Sequence, residues 1–214
     1  MERECGISLS ENASVDGWKG RSDLMQFGMS RSNISRVNNS QGRMMEDMIL
    51  GAAKMYERDG RLILHKESEP FRVVRNINRA RGRAEVQFTA KAQPDFIGCL
   101  KGGRLIVFEA KYTQKDHIKQ MAVTPTQAAM LERYHRAGAA AFVCCGIGTG
   151  WELSYFMVPW KAWREMKERY GHKYATADEL ASYEVKADMV IHFMDYLSPE
   201  TSRKENNPFN LLTI

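Results

Sequence analysis

Apolar positions are unevenly spread along the 214 residues, and their spacing shows where ordered structure should begin. Residues 1–41 are rich in Ser, Asn and Gly and lack a sustained hydrophobic period, which predicts a flexible N-terminal arm ahead of a folded domain over 42–214. From Gly42 onward, Met45, Met48, Ile49, Ala52, Met55 and Tyr56 recur at helical spacing, and Gly60 suits the exit. "RLILHK" (61–66) reads as a short strand. "PDFIGCL" (94–100) and "RLIVFEAKY" (104–112) are β-rich runs joined by "KGG", a hairpin signal. In "TPTQAAMLERYHRAGA", Thr124 suits an N-cap, Pro125 the first helical position and Gly138 the exit. "AAAFVCCGI" (139–147) reads as a buried strand and "ELSYFMV" (152–158) as an alternating one. Pro159, Trp160, Trp163 and Met166 predict a helix over 159–171, and Thr176 with Glu179 forms a capping-box pattern for another. "MVIHFMDYL" (189–197) fits a strand and a short buried helix equally. The order predicts a mixed α/β domain, with a central β-sheet flanked by helices.

Composition narrows the class. With 43% hydrophobic and 27% charged residues the chain is of the globular type, and no apolar run approaches the ~20 residues a membrane helix needs. "MERECGISLSENAS" lacks the apolar core of a signal peptide, so the expectation is a cytoplasmic protein with no membrane association. Cys5, Cys99, Cys144 and Cys145 form no C-x-x-C pair and the five histidines are scattered, which argues against zinc.

Charge is concentrated in one place. The stretch 70–94, "PFRVVRNINRARGRAEVQFTAKAQP", sets Arg72, Arg75, Arg79, Arg81, Arg83 and Lys91 against Glu85 alone, a net +5 equal to that of the whole chain. Alternating flanks around Asn76, Asn78 and Gly82 predict a long basic hairpin. A charge run is most often a solvated surface. The arginine density, with Phe71 and Phe88 interleaved, favours phosphate contact.

Strand alternation also exposes the candidate chemistry. Glu109 and Lys111 fall two apart in "VFEAKYT" and share a face with Leu105 and Val107. A three-residue "KGG" loop pairs 100 with 104 and sets Asp95 opposite Glu109; a two-residue loop takes Asp95 off that face. Neighbouring buried carboxylates repel and are costly to desolvate, whereas a divalent cation relieves both problems. An oxygen-only donor set selects Mg²⁺ or Mn²⁺, and Lys111 beside it suits phosphodiester hydrolysis. For a lone E-x-K, an ordinary ion pair is the commoner explanation. The full pattern, P-D-x(13)-E-x-K, is the signature of the PD-(D/E)-x-K nuclease fold.

"QPDFIGCLKGGRLIVFEAKYT", the helix-opening Gln127, "AGAAAFVCCGI" and "YFMVPWKAW" together resemble a RecU-type Holliday-junction resolvase over residues 42–171. The resemblance implies a restriction-endonuclease-like core with a projecting basic stalk over 70–94. It also implies a homodimer that resolves four-way DNA junctions by paired symmetric nicks. By the same resemblance Asp95 and Glu109 are metal-binding acids, Lys111 is the catalytic lysine, Glu46 completes the site, and Gln127 is a candidate active-site residue. Three positions depart from the family pattern: Tyr112 stands for its Glu, Thr126 for its His, and the long arm is this chain's own. Structural readings stand beside these roles. Gln127 lies three after Thr124 and forms a capping box, Glu46 borders the apolar stripe as a solvated residue would, and Thr113 suits a strand end. Trp160 and Trp163 are expected in the core or at a dimer contact. A restriction-like or repair endonuclease on duplex DNA, or a non-catalytic junction-binding recombination factor, is the competing function.

Overall fold

The computed structural model describes residues 31–68, 71–88 and 93–197, and the architecture below belongs to the unit Arg36–Ile214. Helix α1 (Arg31–Arg58) leads into strand β1 (Leu62–Lys66) and the hairpin β2 (Phe71–Asn78) and β3 (Arg83–Phe88). Strands β4 (Phe96–Leu100), β5 (Leu105–Thr113) and β6 (His117–Lys119) precede α2 (Pro125–Arg136) and β7 (Ala140–Ile147). Then come β8 (Ser154–Pro159), α3 (Trp160–Arg164), α4 (Met166–Tyr170), β9 (Tyr174–Thr176) and β10 (Glu184–Val185).

Six strands form the central sheet in the order β1-β4-β5-β7-β8-β10. Only β5 and β7 run parallel, since α2 returns the chain between them, and their neighbours are antiparallel. Alternation sends Ile106 and Phe108 to one face, where Met45, Ile49, Ala52 and Tyr56 of α1 cover them. Val107 and Val143 go to the other, beneath Leu131 of α2 and Trp160, Trp163 and Met166. The chain is therefore a mixed α/β fold with a mixed central sheet flanked by helices. Both tryptophans are core residues. Gly98 leaves no room for a side chain against β1: a Cβ there would run into the Ile63 carbonyl oxygen and lie 2.8 Å from Leu64 Cδ1. Gly98→Ala is expected to destabilise the fold by about 1–3 kcal/mol, read from the urea midpoint.

Several boundaries differ from the sequence-based expectation. Helix α1 starts at Arg31 rather than Gly42, so the end of the expected arm, 31–41, is helical, while residues 1–30 lie outside the described residues. Exposed positions such as Asn39 and Ser40 carry no hydrophobic period, yet a formed helix extends through them at little cost. The expected helix over 159–171 is two short helices, because Glu165 (φ −95°, ψ 18°) leaves helical geometry between α3 and α4. The Thr176–Glu179 capping box forms but opens only a turn and the 3-10 segment Ala181–Tyr183. The stretch 189–197 is neither strand nor α-helix. It holds one bridge, Ala187 to Ile191, and the 3-10 turn Asp195–Leu197, anchored by buried Ile191, Phe193, Met194 and Leu197.

Candidate active site

The turn between β4 and β5 determines the site. Gly102 (φ 93°) and Gly103 (φ 87°) take left-handed conformations that disfavour side chains, which makes Lys101–Gly103 a three-residue loop closed by Leu100 N donating to Arg104 O at 2.8 Å. The ladder then runs from Cys99 opposite Leu105 to Phe96 opposite Phe108. One step further, Asp95 lies beside Glu109, and the two-residue register is excluded. Asp95 Oδ2 accepts a hydrogen bond from the Ala110 amide at 2.9 Å, and the Asp95 carbonyl accepts one from the Glu67 amide at 2.8 Å. The aspartate is thereby tied to both neighbouring strands.

Glu109 is fully buried, the only charged residue among those described that is. Its Oε1 accepts from Lys111 Nζ at 2.7 Å and from Gln127 Nε2. Its Oε2 is buried with no hydrogen-bond donor among the described residues. Burial, reinforced by the Asp95 carboxylate and opposed by Lys111, pushes the Glu109 carboxyl up to about 7.

Gln127 forms the expected capping box and also contacts Glu109. Gln127 Oε1 accepts from the Thr124 amide at 3.0 Å and from Thr124 Oγ1 at 2.9 Å, completing the capping box of α2. That cap fixes the rotamer from which Nε2 reaches Glu109. A helix start and a buried carboxylate are thus oriented by one side chain.

These groups open into a cavity of about 210 Å³ lined by Glu46, Glu67, Ser68, Gln93, Asp95, Glu109, Ala110, Lys111 and Gln127. Glu46 reaches the cavity from α1, but its Oε2 is paired with Lys66 Nζ at 2.6 Å. Lys66, Glu67, Ser68 and Gln93 escaped the sequence reading. A signal for Lys66 existed: it ends the β1 alternation Leu62, Leu64, Lys66 as Glu109 ends Leu105, Val107, Glu109. Tyr112 is tied elsewhere, its hydroxyl donating to Gly148 O at 3.1 Å. Thr113 Oγ1 accepts from the Lys115 amide at 3.2 Å, the strand-end role.

The donor set fits a hard divalent cation. Two adjacent carboxylates, one with a buried oxygen lacking a donor, face a cavity with no imidazole or thiolate among its lining residues. Among the described residues no group of three or more His, Cys, Asp or Glu is arranged to hold a metal by itself. Asp95 and Glu109 therefore offer a partial shell, of the kind that water and phosphate oxygens complete.

The basic segment forms the antiparallel pair β2/β3, a two-stranded sheet separate from the central one, with bulges between Val73 and Arg75 and between Asn76 and Asn78. Arg72, Arg75, Arg79, Arg81 and Arg83 are exposed, and among the described residues none is ion-paired with a carboxylate. Arg72 donates to Gln87 Oε1 across the strands, at 2.9 Å from Nε. Lys91 lies outside the described residues.

No curated protein sequence matches the chain. Among solved structures it is similar to the Archaeoglobus fulgidus Holliday junction resolvase Hjc, 13% identical over 60% of this chain and 87% of that one, with a TM-score of 0.33. The family model of recombination protein U matches residues 40–199, from within α1 to just past the 3-10 turn Asp195–Leu197. With a match over most of its length, the chain belongs to the RecU family, that of recombination protein U.

Proposed function

We propose that the protein is a structure-selective, Mg²⁺-dependent endonuclease that resolves four-way DNA junctions, acting as a two-fold homodimer that nicks two strands symmetrically. The observation carrying this reading is the β4/β5 register, which brings Asp95 beside Glu109 with Lys111 bonded to the latter. Membership of the RecU family and the exposed arginines of β2/β3 support junction DNA as the substrate.

In this reading Asp95 and Glu109 hold the cation. When bound, Mg²⁺, or Mn²⁺ in its place, polarises the scissile phosphate and makes water a stronger nucleophile. Gln127 holds the Glu109 carboxylate through one oxygen, leaving the donor-free oxygen for a cation. Lys111, one-fifth exposed at the cavity wall, places an ammonium where negative charge builds on the phosphoryl oxygens. Glu46 lines the same cavity, paired with Lys66. The exposed hairpin arginines bind phosphates by charge and shape rather than base sequence. Two-fold symmetry supplies one site for each of the two strands cut.

Cleavage of a synthetic four-way junction and a sequence-matched linear duplex, with Mg²⁺ and with EDTA, tests the proposal. The junction is expected to be cut faster by roughly tenfold or more, about 1.4 kcal/mol of discrimination, and only with Mg²⁺. Equal rates on both substrates would indicate a duplex endonuclease, and binding without cleavage a recombination factor.

A further inference from the structure

Two of the glutamates that line the cavity, Glu109 and Glu46, are each paired with a lysine. Lys111 and Glu109 form the buried pair, whereas Lys66 and Glu46, at 2.6 Å, are 41% and 23% exposed. Lys66 continues the face of Leu62 and Leu64, and its head meets Glu46 of α1, which itself lines the cavity. In the β1/β4 ladder Lys66 pairs with Phe96, the residue after Asp95, and the next amide, Glu67 N, donates to Asp95 O. The Lys66 backbone thus lies one ladder step from Asp95, while its side chain, on the Leu62 and Leu64 face, runs to Glu46 of α1.

We propose that Lys66 is a phosphate-binding residue held in reserve by Glu46. While Glu46 neutralises it, Lys66 adds nothing to the DNA grip; once Glu46 turns toward a cation in the cavity, Lys66 is released to the DNA backbone beside the cleaved bond. The proposal rests on the reading of this cavity as a DNA-cleavage site. Its energetics are permissive, because a partly exposed ion pair contributes only about 0–1 kcal/mol and exchanges readily for a phosphate. Loading of the acidic centre and tightening on DNA are thereby coupled through one side-chain exchange.

Junction affinity measured in EDTA across a salt series separates the possibilities. Glu46→Gln is expected to tighten metal-free binding several-fold and to steepen the log K against log [salt] slope by about 0.9, the increment for one further phosphate neutralised. Lys66→Met alone should match the wild type, and combined with Glu46→Gln it should remove the gain, whereas Lys66→Arg should keep it. A second arm leaves Glu46 intact: saturating Ca²⁺ is expected to steepen the slope more in the wild type than in Lys66→Met. If the Glu46→Gln gain survives in the double variant, relief of carboxylate–phosphate repulsion explains it and the proposal fails. Equal Ca²⁺ effects in wild type and Lys66→Met overturn it too. Failure of the wild type to bind any four-way junction would instead sink the functional reading beneath it.

Discussion

Asp95→Asn and Glu109→Gln are each expected to lower the rate of junction cleavage by on the order of 10³ or more, about 4 kcal/mol of transition-state stabilisation, while leaving junction binding close to wild type. Both substitutions keep the side-chain shape and remove the charge that a cation needs. A wild-type cleavage rate in either variant would show the site to be misassigned. The same variants provide a readout independent of catalysis. Mg²⁺ at 100 times its dissociation constant should stabilise the wild type by about 2.7 kcal/mol in a thermal melt and should leave both variants unmoved. Without metal, the pH dependence has a definite sign. Burial raises the Glu109 carboxyl from 4.5 to about 7 in the folded protein, so its contribution to stability is fully present below pH 4.5 and is lost as pH rises through 7. Glu109→Gln removes that decline, and the metal-free variant should overtake the wild type in relative stability at alkaline pH.

The second large effect belongs to the hairpin. Replacing Arg75, Arg79, Arg81 and Arg83 together with alanine should weaken junction binding by at least about 10²-fold at moderate salt and flatten the salt slope by about 0.9 for each phosphate that is no longer neutralised. Removing residues 72–83 should collapse junction affinity altogether. The fold should survive either change, because β2/β3 is a sheet of its own and its strand β2 is exposed throughout. Unchanged salt dependence in the four-alanine variant would exclude the hairpin as the DNA-binding element. A lower melting temperature in step with the weakened affinity would mean that the hairpin supports the fold instead.

Much of the candidate site was legible because strand geometry is local. A period of two obliges Glu109 and Lys111 to share a face, and paired glycines after "IGCLK" mark the hairpin that returns the chain past Asp95. The cap of α2 was equally readable, since Thr124, Pro125 and Gln127 act over a single turn. The start of α1 was not, because helix propagation through exposed polar residues leaves no apolar period to detect. Nor was the break at Glu165, where the tryptophans on the α3 side are held by the core rather than by one continuous helix.

Tertiary structure decided what the charges do. The residues alone left two registers open, and only the folded loop, with both Gly102 and Gly103 left-handed, places the two carboxylates side by side. Gln127 was a cap or a site residue on sequence grounds; packing of α2 over β5 shows the cap and brings the same side chain onto Glu109. Glu46 was expected as an acid facing the metal, and the fold gives it Lys66, twenty positions away, as a partner. Periodicity and capping are properties of a few consecutive residues, so composition and spacing carry them. Which ammonium neutralises which carboxylate depends on segments distant in the chain meeting in space, and no local pattern encodes that distance.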